Sequence, residues 1–165
     1  MDNVKKIMAA LAFTDYTPGI FKFAAQFAQC SNAELIVATV LNIRDVESVQ
    51  TISAMGYDVD GEHYIDSIEK ERREMLEKIA DQTDFSGIKI RAIFRVGNPI
   101  DELLKLIEEE AVDVVVMGPK GRTDLAHVLV GSVAEKIFRR SPATVISYRD
   151  EIVAARYRER TTKHA

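Results

Sequence analysis

Asp113 to Ser132 reads DVVVMGPKGRTDLAHVLVGS, and this stretch decides the fold. Asp113 to Met117 is short and apolar, as a strand buried on both faces of a parallel sheet must be. Gly118, Gly121 and Gly131 then punctuate a turn, and Ser132 to Arg140 follows with helical periodicity. A buried strand, a glycine-rich turn and the opening of a helix are how a protein backbone is shaped to hold phosphate, because glycines admit close approach and the first helical N–H groups point outward unpaired.

Outward from this stretch the pattern repeats. Upstream, Val4 to Ala12 reads as a first strand and Leu35 to Leu41 as a second. Between them Pro18 to Gln29 places Ile20, Phe21, Phe23, Ala24 and Phe27 at helical spacing. Asn42 to Gly61 is irregular and is expected to be a loop or a short helical excursion. Glu62 to Thr83 is a long amphipathic helix, with Ile65, Ile68, Met75, Leu76 and Ile79 among charged residues. Ile88 to Val96 is a third strand; Gly97-Asn98-Pro99 starts the next helix, where proline is tolerated in the first turn, and Ile100 to Ala111 carries it. Downstream, Ala143 to Tyr148 is a fifth strand. The alternation predicts an α/β fold, a three-layer open sheet of five parallel strands with four helices, in one domain over residues 1–148. A polar tail over 149–165 is expected to be a frayed helix with a disordered tip.

Composition narrows the classes. At 165 residues one domain needs no disulfide staple, and the lone Cys30 is expected to be a small packed hydrophobe in a reducing compartment. With 26 acidic against 22 basic residues the net charge is −4, which argues against a nucleic-acid-coating protein. No apolar run approaches the twenty or so residues of a membrane span, so no membrane partner is expected and the cytoplasm is the default location. His63, His127 and His164 are scattered without metal-ligand spacing, and no Ser-His-Asp elbow or kinase loop is present, so neither a metal site nor catalytic residues are expected. Asp15 is expected to cap the helix near Pro18, and Ser132 either to cap its own helix or to donate to phosphate.

The spacing G-x2-G-x9-G-S at Gly118, Gly121, Gly131 and Ser132 is neither a Walker A loop nor GxGxxG. With Met117 before it, Arg122-Thr123 after the second glycine and Ser132-Val133-Ala134-Glu135-Lys136-Ile137 in the helix, it resembles the ATP-binding branch of the universal stress protein family. The resemblance covers about Lys5 to Tyr148. It implies a Rossmann-like fold of the adenine nucleotide alpha hydrolase type and a stress-response role exerted through bound ATP, with Mg2+ as a possible companion, rather than through turnover. It further implies that Gly118, Gly121, Gly131, Ser132 and Val133 line ribose and phosphates, with Met117 and Arg122 also among the nucleotide-binding residues. Leu11, Ala12, Phe13 and Val40-Leu41 would surround adenine, and the edge strand Ala143 to Tyr148 would form a homodimer contact. The family's ATP binders usually carry aspartate where this chain has Ala12. One lost charge-assisted hydrogen bond weakens binding by roughly tenfold to a hundredfold. A slow ATPase with Ser132 or Thr123 near the γ-phosphate, and a nucleotide-free interaction module, are the competing classes. Lys120 is a further candidate for phosphate and Asp124 for Mg2+.

Overall fold

The computed structural model describes residues 4–55, 61–82, 85, 87–119, 130–151, 154, 155 and 158. The elements run β1 (Lys6–Ala10), α1 (Thr17–Ser31), β2 (Glu34–Asn42), α2 (Ile43–Ala54), α3 (Gly61–Asp81), β3 (Ile90–Gly97), α4 (Pro99–Glu109), β4 (Val114–Met117), α5 (Ser132–Arg140) and β5 (Thr144–Ser147). All four strand pairings are parallel and the order is β3-β2-β1-β4-β5. The chain winds outward from β1 through β2 to β3, and α4 then carries it back across to β4. The winding therefore reverses beside β1, between β1 and β4.

Two apolar layers hold the helices to the sheet. On one face Phe21, Ala24 and Ala28 of α1 and Leu76 and Ile79 of α3 pack on Ile7, Ala9, Leu35 and Val37. On the other, Leu103, Leu106 and Ile107 of α4 and Ile137 of α5 pack on Met8, Ala10, Ile36, Ala38 and Val115. Successive strand residues alternate between the layers, which is why the interiors of β1, β2 and β4 are apolar apart from Thr39. Each such fully buried Leu or Ile contributes about 1.5–3 kcal/mol relative to exposure.

Several expectations change. The segment after β2 holds a regular helix, α2, so among the described residues there are five helices rather than four. Val46 is the one buried residue of α2, too little for an apolar stripe to announce the helix. Cys30 is exposed, not packed; the buried stripe of α1 runs through Phe21, Ala24, Ala25 and Ala28, and Cys30 falls on the outer side. Asp15 does not cap α1. Tyr16 occupies the cap position without a side-chain bond, and Thr14 and Thr17 turn the chain instead, with Thr17 N–H donating to the Thr14 carbonyl at 2.9 Å and Thr14 N–H to Thr17 Oγ1 at 3.0 Å.

At the amino end of the sheet, Arg91 lays a two-pronged bond on Glu110, at 3.1 Å and 2.5 Å, and reaches Glu34 at 3.2 Å. Lys89 also pairs with Glu34, at 3.1 Å. The hydrogen bond from Arg91 holds the Glu110 carboxyl below its ordinary range, and those from Lys89 and Arg91 do the same for Glu34. A carboxyl lowered in the folded state stabilises the protein above its unfolded pKa of about 4.3, and that stability disappears as pH falls through the folded value. Glu110→Gln is therefore expected to lower stability by about 1 kcal/mol at neutral pH, the pair being partly solvated. Thermal unfolding should show the deficit in full above pH about 5 and converging with the parent protein below about 4. A deficit constant down to acid pH would mean that the ion pair is not its source.

Candidate functional site

Where the winding reverses, the carboxyl ends of β1, β2 and β4 open onto a cavity of about 510 Å³. That is within the 300–1,000 Å³ range of small-molecule sites, and the switch point of an open α/β sheet is where such sites form. The floor is apolar: Ala10, Ala38, Leu103 and Met117 line it and are all buried. Polar groups gather at the mouth, namely Thr14, Asn42, Asp45 and Ser132.

Each wall follows from local sequence. On the β1 side, Leu11 N–H donates to the Ala38 carbonyl at 2.9 Å, tying the end of β1 to β2, and Leu11 and Ala12 line the cavity. On the β2 side, Val40 lines it, and Asn42 ends the strand and caps α2, its Oδ1 accepting from Arg44 N–H at 3.1 Å. That cap sets Asp45 in the first turn of α2, half-buried at the mouth. On the α4 side, Asn98 caps the helix by accepting from Ile100 N–H at 3.0 Å, and Pro99 and Leu103 face the cavity.

The β4 side carries the glycines. Gly118 follows β4 directly, and Gly131 N–H donates to the Pro119 carbonyl at 2.7 Å, so the chain leaving β4 is tied to the start of α5. Gly131 is the cap residue of α5 and offers no side-chain cap. The N–H groups of Ser132, Val133 and Ala134, which helix geometry leaves without intrahelical partners, thus begin at the cavity wall with the positive end of the helix dipole. Ser132 is the first residue of α5, not its cap, so its hydroxyl is not committed to capping.

Of the site residues expected from sequence, Leu11, Ala12, Val40, Met117, Gly118, Gly131, Ser132 and Val133 meet around this one cavity. Phe13 does not line it. Its φ of 53° is left-handed, unusual for a bulky residue, and its ring packs with the α1–α3 layer. There it lies under the guanidinium of the buried Arg72, 5.0 Å from ring centroid, while Arg72 donates to Thr39 Oγ1 at 2.7 Å. Leu41 is buried but is not among the cavity's lining residues. Gly121, Arg122, Lys120, Thr123, Asp124 and His127 lie outside the described residues. Asn42, Asp45, Pro99 and Leu103 were not anticipated. The first two carried only the signal of a helix start, Asn42-x-x-Asp45, a cap residue followed at three positions by an acid. Among the described residues no group of three or more His, Cys, Asp or Glu gathers to hold a metal, and no helix is long and apolar enough to cross a membrane.

Strand order, crossover and cavity together define a doubly wound parallel α/β protein with a ligand-sized pocket at its switch point. The chain belongs to the universal stress protein family, whose sequence profile matches residues 3–149. It is 27% identical to universal stress protein MJ0577 of Methanocaldococcus jannaschii over 150 residues, covering 86% of this chain and 93% of that protein. The solved structure of MJ0577 superposes with a TM-score of 0.74 at 25% identity, covering 90% of this chain and 99% of that one. Two further structures share the fold. One is a universal stress protein in complex with cAMP, with TM-score 0.61, 24% identity and coverage of 88% and 96%. The other is a universal stress protein from Archaeoglobus fulgidus in complex with dAMP, with TM-score 0.58, 18% identity and coverage of 90% and 100%.

Proposed function

We propose that this chain binds an adenine nucleotide, ATP with Mg2+, in the switch-point cavity and acts as a nucleotide-dependent regulatory protein rather than through turnover. The observation that carries it is the opening of α5 onto the cavity beside Gly118: N–H groups without intrahelical partners, the dipole's positive end and a glycine cap with no Cβ converge there. Several charge-assisted bonds of about 1.5–3 kcal/mol each are available to a triphosphate at such a place. The apolar floor of Ala10, Ala38, Leu103 and Met117 suits a purine, with Leu11, Ala12 and Val40 beside it. That two proteins of this fold have been solved with cAMP and dAMP supports the choice of base. Gly121 and Arg122 complete the phosphate loop in this proposal, which places the protein in the cytoplasm. Bound ATP shifts the population of a conformation or dimer that other proteins recognise.

Equilibrium titration with ATP, ADP and GTP tests the proposal, alongside chromatography of whatever nucleotide a freshly purified sample releases on denaturation. Saturable binding of ATP is the expected result. No saturable binding at millimolar nucleotide would leave an interaction module of the same fold. The dimer is tested separately. β5 pairs with β4 on one side and stands at the sheet edge, an arrangement that invites pairing with a second copy through Ala143 to Tyr148. Light scattering at tens of micromolar should give twice the monomer mass, and a strict monomer would contradict that contact.

A further inference from the structure

Asp45 is the one charged side chain among the described residues that line the cavity. Resting on the nucleotide-binding proposal, we infer that its carboxylate recognises the ribose hydroxyls of the bound nucleotide and so selects ribonucleotides over their deoxy counterparts. A carboxylate is an acceptor only, so it seeks donors. ATP offers these at the exocyclic amino group of the base and at the two ribose hydroxyls.

Position decides between them. β2, which leads into Asp45, and β4, which leads into Gly118, lie on opposite sides of β1. Two strand spacings, about 10 Å, therefore separate the Asp45 side from the phosphate side. Like charge also keeps a carboxylate away from phosphate oxygens, which are drawn to the start of α5 instead. Depth separates base from sugar: the floor is apolar and buried, whereas Asp45 is half-buried at the mouth, beyond the end of β2. A base seated on the floor with phosphates at α5 leaves the sugar as the donor-bearing part beside the mouth.

The test measures affinity for ATP, 2′-deoxy-ATP, 3′-deoxy-ATP and GTP, with Mg2+ and with chelator, in the parent protein and in Asp45→Ala and Asp45→Asn. The parent protein is expected to prefer ATP over at least one deoxy analogue by about tenfold, the worth of one hydrogen bond to a charged group. In Asp45→Ala that ratio should fall to about one, through weaker ATP binding with the affected deoxy analogue bound as before. Asp45→Asn, which keeps one neutral acceptor, should fall between. Any general loosening from removing an acid in the first turn of α2 weakens both nucleotides together and leaves the ratio intact, so the ratio isolates recognition. An unchanged ratio in Asp45→Ala overturns the inference. So does a loss that falls on adenine over guanine, or one seen only with Mg2+, which would put the carboxylate on the base or on the cation. If the parent protein binds no nucleotide at all, the parent proposal fails first, and that result is distinct from any outcome of the variants.

Discussion

Gly131→Leu is expected to reduce ATP affinity at least a hundredfold while leaving the fold intact. Gly131 has φ −70° and ψ 152°, ordinary extended backbone that any residue adopts, so the substitution adds no backbone strain there. Its carbonyl accepts from Glu135 N–H at 3.0 Å and its own N–H donates to the Pro119 carbonyl at 2.7 Å, and both bonds survive a change of side chain. What changes is access. Gly131 lines the cavity, and a branched side chain beside the α5 amides occupies the place where phosphate oxygens must approach. Losing two charge-assisted bonds of about 1.5–3 kcal/mol each exceeds the 2.7 kcal/mol or so of a hundredfold change. Calorimetric titration of parent and variant, with thermal unfolding as the control, checks this. Unaltered affinity would remove α5 from the binding site. By comparison Ser132→Ala, which deletes one donor and keeps every backbone amide, should cost about tenfold.

Arg72→Ala is expected to destabilise the protein by about 3 kcal/mol. Arg72 is 6% exposed and Thr39 1% exposed, so the 2.7 Å bond between them is made away from water. Removing the guanidinium forfeits a charged hydrogen bond of about 1.5–3 kcal/mol and leaves a buried hydroxyl without that partner. A cation–π contact with Phe13, about 0.5–2 kcal/mol, and the packing of the aliphatic stem go with it. Release of Phe13 from its left-handed φ, a cost of about 1–3 kcal/mol in the folded state, offsets part of the loss. At 2–4 °C per kcal/mol for a chain of this size, the melting temperature should fall by about 6–12 °C. A change below about 1 kcal/mol would show that Arg72 is not holding the β1–α1 turn. Arg72→Lys keeps the charge and the stem without the planar fork, and should recover part of the stability.

How far the fold was legible depended on burial. Val114–Met117 is an unbroken apolar run and Leu35–Leu41 is interrupted only by the buried Thr39, because parallel strands under two helical layers have no solvent face, and a run of that kind admits few other readings. α2 was unreadable for the opposite reason: its side chains are largely exposed, so no stripe marks it, and its signal lay in the capping residue Asn42. The site divided in the same way. Gly118, Gly131 and Ser132 were legible as cavity-lining residues because a glycine-punctuated turn between a buried strand and a helix start stands out in the sequence. Asp45 was not, since nothing local distinguishes a cavity-lining acid in a first turn from one that only complements the helix dipole. Phe13 misled because its positive φ turns the ring to the opposite layer, and no glycine marks such a turn in the sequence. Cys30 misled because its apolar neighbours belong to a stripe that passes it by.

The central claim, that the start of α5 holds the phosphates of a nucleotide lying across the switch point, is tested most directly by following backbone amide resonances during titration with ATP. Saturable shifts are predicted at Gly118, Gly131, Ser132 and Val133, accompanied by Ala12, Val40 and Asp45, with Ile90–Gly97 at the far edge unaffected. Shifts absent up to millimolar ATP, or gathered on β3 and α3 instead, would contradict it.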